Sequence, residues 1–155
     1  MSEKVGWGIL GTASIAKRRF APAVRRSSKS VIAAIGSRDA DSAEAFAREF
    51  GIPRAYGSYQ QVLDDPDIEA IYIPLPHAMH REWTVKAADA GKHVLCEKPV
   101  SLDSQEAADM IRHCGAKGVI LMEGFMYRLN PRTLKLKEII DSGLIGDVMT
   151  VMAQF

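Results

Sequence analysis

The sequence is poor in cysteine: only Cys96 and Cys114 occur in 155 residues, too few for a disulfide framework in a chain long enough to bury a core of its own. Both are expected to be buried, reduced thiols, in preference to a metal or redox site. No run of about 18 apolar residues occurs, so no stretch suits a membrane span. The opening MSEKVGWGIL lacks the basic stretch and long apolar core of a secretory signal, and a cytoplasmic protein without membrane partners is the expectation. Charge of one sign is scarce as well. With 20 Lys+Arg against 19 Asp+Glu the net charge is +1, which excludes a binder of nucleic acid or other polyanions that works by bulk charge. Internal repeats and low-complexity segments are missing. What is present, 47% apolar and 25% charged residues, is the composition of a globular domain.

Short β-branched runs alternate with longer helical patterns. Val5 to Leu10 has the pattern of a strand, and Ser14 to Ser27 that of a helix whose Ala16, Phe20, Ala23 and Val24 share a face and which Pro22 should kink. A second strand at Val31 to Ile35 precedes a helix at Asp41 to Phe50, where Ala43, Phe46, Ala47 and Phe50 fall at i, i+3, i+4, i+7. A short strand at Ala55 and Tyr56 and a helical turn at Tyr59 to Leu63 come next. The continuous apolar run Ala70 to Ile73 suits a strand covered on both faces. Then follow a helix at Arg81 to Ala90, a strand at His93 to Glu97, a helix at Ser104 to Cys114 and a strand at Val119 to Met122. Strand and helix in alternation, with short connections and right-handed crossovers, predict an α/β fold with a doubly wound parallel sheet.

After Met122 the pattern changes. Gly124 to Pro131 is loop-like, and Arg132 to Ser142 is an amphipathic helix that Gly143 would cap. Asp147 to Phe155 alternates, with Met149, Val151, Ala153 and Phe155 on one face, as in a strand of an open-faced antiparallel sheet. The expected division is a doubly wound domain over residues 1–123 and, over 124–155, the start of a second, α+β domain.

Three clusters carry chemistry. GILGTASIA, Gly8 to Ala16, falls where a strand ends and a helix begins: Gly11 can make the tight turn, Ala13 lets backbone N–H groups approach a pyrophosphate, and Ala16 permits close helix packing. A small-residue turn that serves packing alone is the alternative. The second strand runs into Gly36, Ser37 and Arg38, where a hydroxyl and a guanidinium suit the 2′-phosphate of NADP. NAD stays possible, a solvated arginine is the other alternative, and Asp39 or Asp41 is placed to cap the next helix. In KHVLCEKPVSL, Lys92 to Leu102, the triplet Glu97, Lys98 and Pro99 ends a buried strand, the place where open α/β sheets bind ligands. Lys98 there is suited to proton transfer, against the alternative of a surface ion pair with Glu97. His77, His80, His93 and His113 form no metal-ligand pattern, and Lys17, Arg18 and Arg19 are expected on a solvated face.

Together with MEGFMYRLNP, Met122 to Pro131, these motifs resemble the N-terminal half of a Gfo/Idh/MocA oxidoreductase, in the branch that holds glucose-fructose oxidoreductase, NADP-dependent D-xylose dehydrogenase and dimeric dihydrodiol dehydrogenase. The resemblance implies a Rossmann-type sheet with Lys98 as the catalytic lysine. It places Gly11, Thr12, Ala13 and Ile15 along the dinucleotide phosphates, and Ser37 and Arg38 at the adenosine end. Leu75, Pro76 and His80 would lie near the nicotinamide ribose with Glu97 close by, and Tyr127 and Arg128 would begin the side that meets substrate. His77 stands where the family usually has asparagine, which leaves the ribose contact there open. The implied activity is NADP-dependent hydride transfer to or from the carbon of a sugar, polyol or diol hydroxyl, in a homo-oligomer. A dinucleotide-sensing module without turnover is the rival, because the family's partners for the lysine lie in a second domain beyond Phe155.

Overall fold

The computed structural model describes residues 4–154. Six strands, β1 (Val5–Leu10), β2 (Ser30–Gly36), β3 (Arg54–Tyr56), β4 (Ala70–Ile73), β5 (His93–Cys96) and β6 (Leu121–Glu123), form one sheet in the order β3-β2-β1-β4-β5-β6. Every adjacent pair is parallel, so all the C-terminal ends lie along one edge. The order reverses between β1 and β4, which opens a crevice at that edge.

The helices are α1 (Ala21–Arg26), α2 (Ala40–Phe50), α3 (Tyr59–Leu63), α4 (His80–Asp89), α5 (Ser104–Ala116) and α6 (Pro131–Asp141). Side chains alternate across each strand, and the core divides accordingly. Leu10, Ile71 and Ile73 pack with Val62 of α3 and Ala87 of α4, while Ile9 and Tyr72 pack with Val24 of α1 and Phe46 of α2. Helices therefore cover both faces, and β4 is buried throughout, as its unbroken apolar run requires. Close packing also dictates Gly36, since a Cβ there would stand 2.5 Å from Val62 Cγ2. Caps set the helix starts: Asp103 accepts the Glu106 N–H at 2.8 Å and the Glu106 carboxylate accepts the Leu102 N–H at 3.1 Å.

The first helix departs from expectation. Pro22 offers no N–H, and the chain answers with a wide π turn over Ala16–Phe20, closed by the Ala21 N–H on the Ala16 carbonyl, before α1 begins. The extra residue in that turn rotates the buried face, so Ala21 is buried and Ala23 is exposed, contrary to the regular spacing. Near β6 the shift is smaller: the Val119 N–H is spent on the Cys114 carbonyl at the end of α5, and the strand starts only at Leu121.

A second compact unit begins at Phe125. It contains a short 3-10 turn, Met126–Leu129, within the expected loop, and α6, whose Asn130 cap accepts the Arg132 N–H at 2.9 Å. The alternating stretch forms no strand over residues 147–154, where Met149, Val151 and Ala153 are exposed; Phe155 lies outside the described residues. An extended segment needs a ladder partner for its N–H and C=O groups, and among the described residues this one has none. No helix among the described residues is long and apolar enough to cross a membrane.

Candidate functional site

The parallel sheet brings the ends of β1, β2, β4 and β5 to one edge, and the three clusters sit there. After β1 the backbone turns at Gly11, with φ +92°, a conformation that L side chains rarely adopt. Its N–H donates to the Gly36 carbonyl at 2.7 Å, and a Cβ would stand 3.1 Å from Leu75 Cδ2. Gly11 is thus held between β2 and the loop after β4. Thr12, Ala13 and Ile15 follow, all partly exposed, at the start of the helical segment, where first-turn N–H groups favour an anion. Two of the basic residues beyond them are tied to the protein itself: Lys17 pairs with Glu49 at 2.8 Å, and Arg18 Nε donates to Ser14 Oγ at 2.7 Å.

At the end of β2, Ser37 is buried; its N–H donates to the Tyr56 carbonyl at 3.0 Å and its Oγ accepts the Asp39 N–H at 3.2 Å. Arg38 is exposed and has no ion pair among the described residues. Asp39 is committed to capping α2: one carboxylate oxygen accepts the Asp41 N–H and the other the Ser42 hydroxyl, which holds its carboxyl below the usual carboxylate range. The free charge at this strand end is a guanidinium, and the neighbouring carboxylate is occupied. That arrangement fits a 2′-phosphate better than a ribose diol, which would want an acidic acceptor.

At the end of β5, Lys98 is exposed, and Glu97 does not pair with its ammonium. The Glu97 carboxylate instead accepts the Tyr72 hydroxyl at 2.7 Å on Oε1 and the Lys98 backbone N–H at 3.2 Å on Oε2. The surface ion pair is not what forms. The Lys98–Pro99 peptide is cis, and the following Val100 N–H donates to Glu123 Oε1 at 2.9 Å. Burial, reinforced by the Glu97 carboxylate, pushes the Tyr72 phenol far above its ordinary range, so it remains a donor.

His80 opens α4 with a fully buried ring, Nε2 lying 2.8 Å from the Leu75 carbonyl and Nδ1 2.9 Å from the Pro99 carbonyl. Both nitrogens are occupied by backbone, which leaves neither for a ribose hydroxyl. Leu75 is buried beside Gly11, whereas Pro76 and His77 are exposed, the His77 ring standing edge-on to His80 at 5.4 Å. Tyr127 and Arg128 lie, exposed, in the 3-10 turn of the second unit. Among the described residues no group of three or more His, Cys, Asp or Glu side chains is gathered for a metal. Tyr72 is the one site residue not anticipated. Its signal was a phenol inside a continuous buried run, since a buried tyrosine hydroxyl needs a partner.

A family model described as an oxidoreductase family with an NAD-binding Rossmann fold matches residues 5–125. The D-xylose 1-dehydrogenase (NADP(+)) 2 of Haloferax volcanii is 48% identical over 149 residues, 96% of this chain and 45% of that protein. The trans-1,2-dihydrobenzene-1,2-diol dehydrogenase of Mus musculus is 37% identical over 151 residues, again 96% of this chain and 45% of the relative. Among solved structures, KijD10, a 3-ketoreductase from Actinomadura kijaniata in complex with NADP and TDP-benzene, superposes with a TM-score of 0.87 at 36% identity over 94% of this chain and 44% of its own. The chain therefore spans a little under half the length of these relatives.

Proposed function

The chain belongs to the Gfo/Idh/MocA oxidoreductase family, and from that premise we propose that it is the dinucleotide-binding half of an NADP-dependent enzyme acting on the hydroxyl carbon of a sugar, polyol or diol, or on the corresponding ketone. The observation that carries the proposal is Lys98: exposed, unpaired, at the end of β5 on the same sheet edge as the Gly11 turn. D-xylose and dihydrodiol dehydrogenases and an NADP-bound 3-ketoreductase among its relatives support the substrate class.

The residues present fit the cofactor. Gly11, Thr12, Ala13 and Ile15 would hold the phosphates at the helix start, and Ser37 and Arg38 the 2′-phosphate, the guanidinium donating charge-assisted hydrogen bonds. Leu75, Pro76 and Glu97 would border the nicotinamide ribose, with His80 fixing that wall from beneath. When bound, the nicotinamide supplies the carbon that gives or takes hydride. Lys98 would hydrogen-bond the reacting substrate oxygen and move its proton. Tyr127 and Arg128 would begin the substrate side, and turnover would need the residues that the relatives carry beyond this stretch. The 155-residue chain should then bind NADP(H) without turning over.

Titrating the chain with NADPH and NADH, followed by reduced-nicotinamide fluorescence, tests the first half; absence of binding by both would overturn it. In an enzyme that also carries the second domain, Lys98→Met should lower kcat by roughly 10² to 10⁴ with little change in cofactor affinity. Near-normal turnover would remove Lys98 from the chemistry.

A further inference from the structure

Glu97 and Lys98 are sequence neighbours at an exposed strand end, and opposite charges so placed ordinarily attract. A paired ammonium would be held against its own carboxylate and turned away from any third group. Yet no Glu97–Lys98 ion pair forms, and a competing partner for the carboxylate stands one strand away. Tyr72 lies on β4, directly across the ladder from Leu95 of β5, and is buried. Its ring stacks on Phe20 with centroids 4.0 Å apart and planes inclined by 14°, and Phe20 meets Trp7 edge-on at 5.3 Å. The phenol therefore cannot swing. Its hydroxyl reaches up and donates to Glu97 Oε1 at 2.7 Å.

Glu97 Oε2 takes the Lys98 backbone N–H at 3.2 Å, so the carboxylate is gripped at both oxygens. Gly124 leaves room beside it: a Cβ there would stand 3.4 Å from the Glu97 carboxyl. The Cys96 thiol and the Glu123 carboxylate lie in the same neighbourhood, neither of them cationic, and Glu123 is itself engaged by the Val100 N–H at 2.9 Å. The one cation in reach of Glu97 by sequence is Lys98, and Tyr72 occupies the carboxylate in its place.

We propose that Tyr72 is a positioning residue, whose hydroxyl holds the Glu97 carboxylate off the Lys98 ammonium and so leaves that amine free to face substrate. The proposal deepens the assignment of Lys98 as the group at the reacting oxygen and rests on it for its functional meaning, while its geometry stands in the chain alone. Burial keeps the phenol protonated, so its hydroxyl remains a donor.

The test is the reactivity of the Lys98 amine toward an amine-directed acylating reagent, measured site by site by mass spectrometry in the cofactor-free 155-residue chain, with exposed Lys29 as internal reference. Tyr72→Phe keeps the ring stack and removes only the hydroxyl. It should slow acylation of Lys98 relative to Lys29 about two- to fivefold, the range an exposed ion pair supports, as Glu97 turns to the ammonium. Adding Glu97→Gln should restore the original rate, because an uncharged amide cannot hold the amine. An unchanged rate in Tyr72→Phe overturns the proposal, and so does a slowed rate that Glu97→Gln fails to restore. Circular dichroism of each variant verifies the fold. Lack of NADP(H) binding in the same preparations would strike at the oxidoreductase assignment and leave these labelling outcomes intact.

Discussion

His80 and Pro99 meet at 2.9 Å between imidazole Nδ1 and a carbonyl oxygen, although α4 and the end of β5 bring them from places 19 residues apart. The other nitrogen of the same ring lies 2.8 Å from the Leu75 carbonyl. One fully buried side chain thus joins the loop after β4 to the turn after β5, and those two loops carry Leu75, Pro76, Glu97 and Lys98. The spacing between the Leu75–Pro76 loop and Lys98 is thus set by an imidazole enclosed by backbone at both nitrogens.

Removing that ring should be costly. His80→Ala removes a fully buried ring from between the Leu75 and Pro99 carbonyls and opens a cavity, and the expected loss of stability is about 2 to 5 kcal/mol. Urea unfolding of the chain measures it. A change below about 0.5 kcal/mol, the size of an ordinary surface substitution, would mean that the two contacts contribute nothing.

Arg38 and Asp39 stand side by side, and their substitutions should separate cleanly. Arg38→Ala should reduce the preference for NADPH over NADH by about 1.5 to 3 kcal/mol, the worth of a charge-assisted contact. Asp39→Ala removes the cap of α2 and should lower stability while leaving the ratio of the two dissociation constants nearly unchanged. Equal affinity of the unmutated chain for both cofactors would refute the assignment of Arg38 to a 2′-phosphate.

The architecture was legible because its signals are local and repeat: the buried run of β4, the apolar spacing of α2 and the glycine after β1 each point to one outcome. The wide turn at Ala16–Phe20 was not, since Pro22 announces a defect in a helix without saying whether the chain will bend or add a residue. The carboxylate at Asp39 was recognised as able to cap, and only the placement of Asp41 and Ser42 shows both oxygens used. His80 was named from the resemblance, but its partner, like that of Tyr72, was beyond sequence, because Pro99 and Glu97 lie 19 and 25 residues away in the turn after β5 and periodicity carries no information about such pairs. The stretch after Asp147 has the alternation of a strand, but alternation describes a face, and a strand also needs a neighbour.

The two cysteines should be inert in the folded chain. Burial pushes the Cys96 thiol up to about 12 from its ordinary 9.0 and raises Cys114 as well, so at pH 8 only about one Cys96 in ten thousand is a thiolate. Iodoacetamide at pH 8 should alkylate both far more slowly than in urea-unfolded chain, and equal rates would contradict their burial. The sign of the linked pH dependence follows. A folded-state pKa above the unfolded value makes the thiol's contribution complete below about pH 9 and progressively lost as pH rises toward 12. Unfolding free energy measured against pH should therefore decline through that alkaline window, and Cys96→Ala should flatten the decline.

The second unit sets up the remaining expectation. Leu134, Leu136 and Ile140 on α6 are exposed, as are Leu144, Ile145, Val148, Met149, Val151 and Met152 after it. So many large apolar side chains in about 20 residues exceed what a solvated surface ordinarily carries, and an apolar segment with unpaired backbone is a template for pairing with another chain. The 155-residue polypeptide should self-associate through this region, with a concentration-dependent sedimentation coefficient. A chain ending at Gly124 keeps the whole parallel sheet and its helices, because the first compact unit ends there, and it should sediment as a monomer and still bind NADPH. A monomeric profile for the longer chain at high concentration would refute association through the second unit. Loss of binding in the shorter one would show that residues after Gly124 help to hold the dinucleotide.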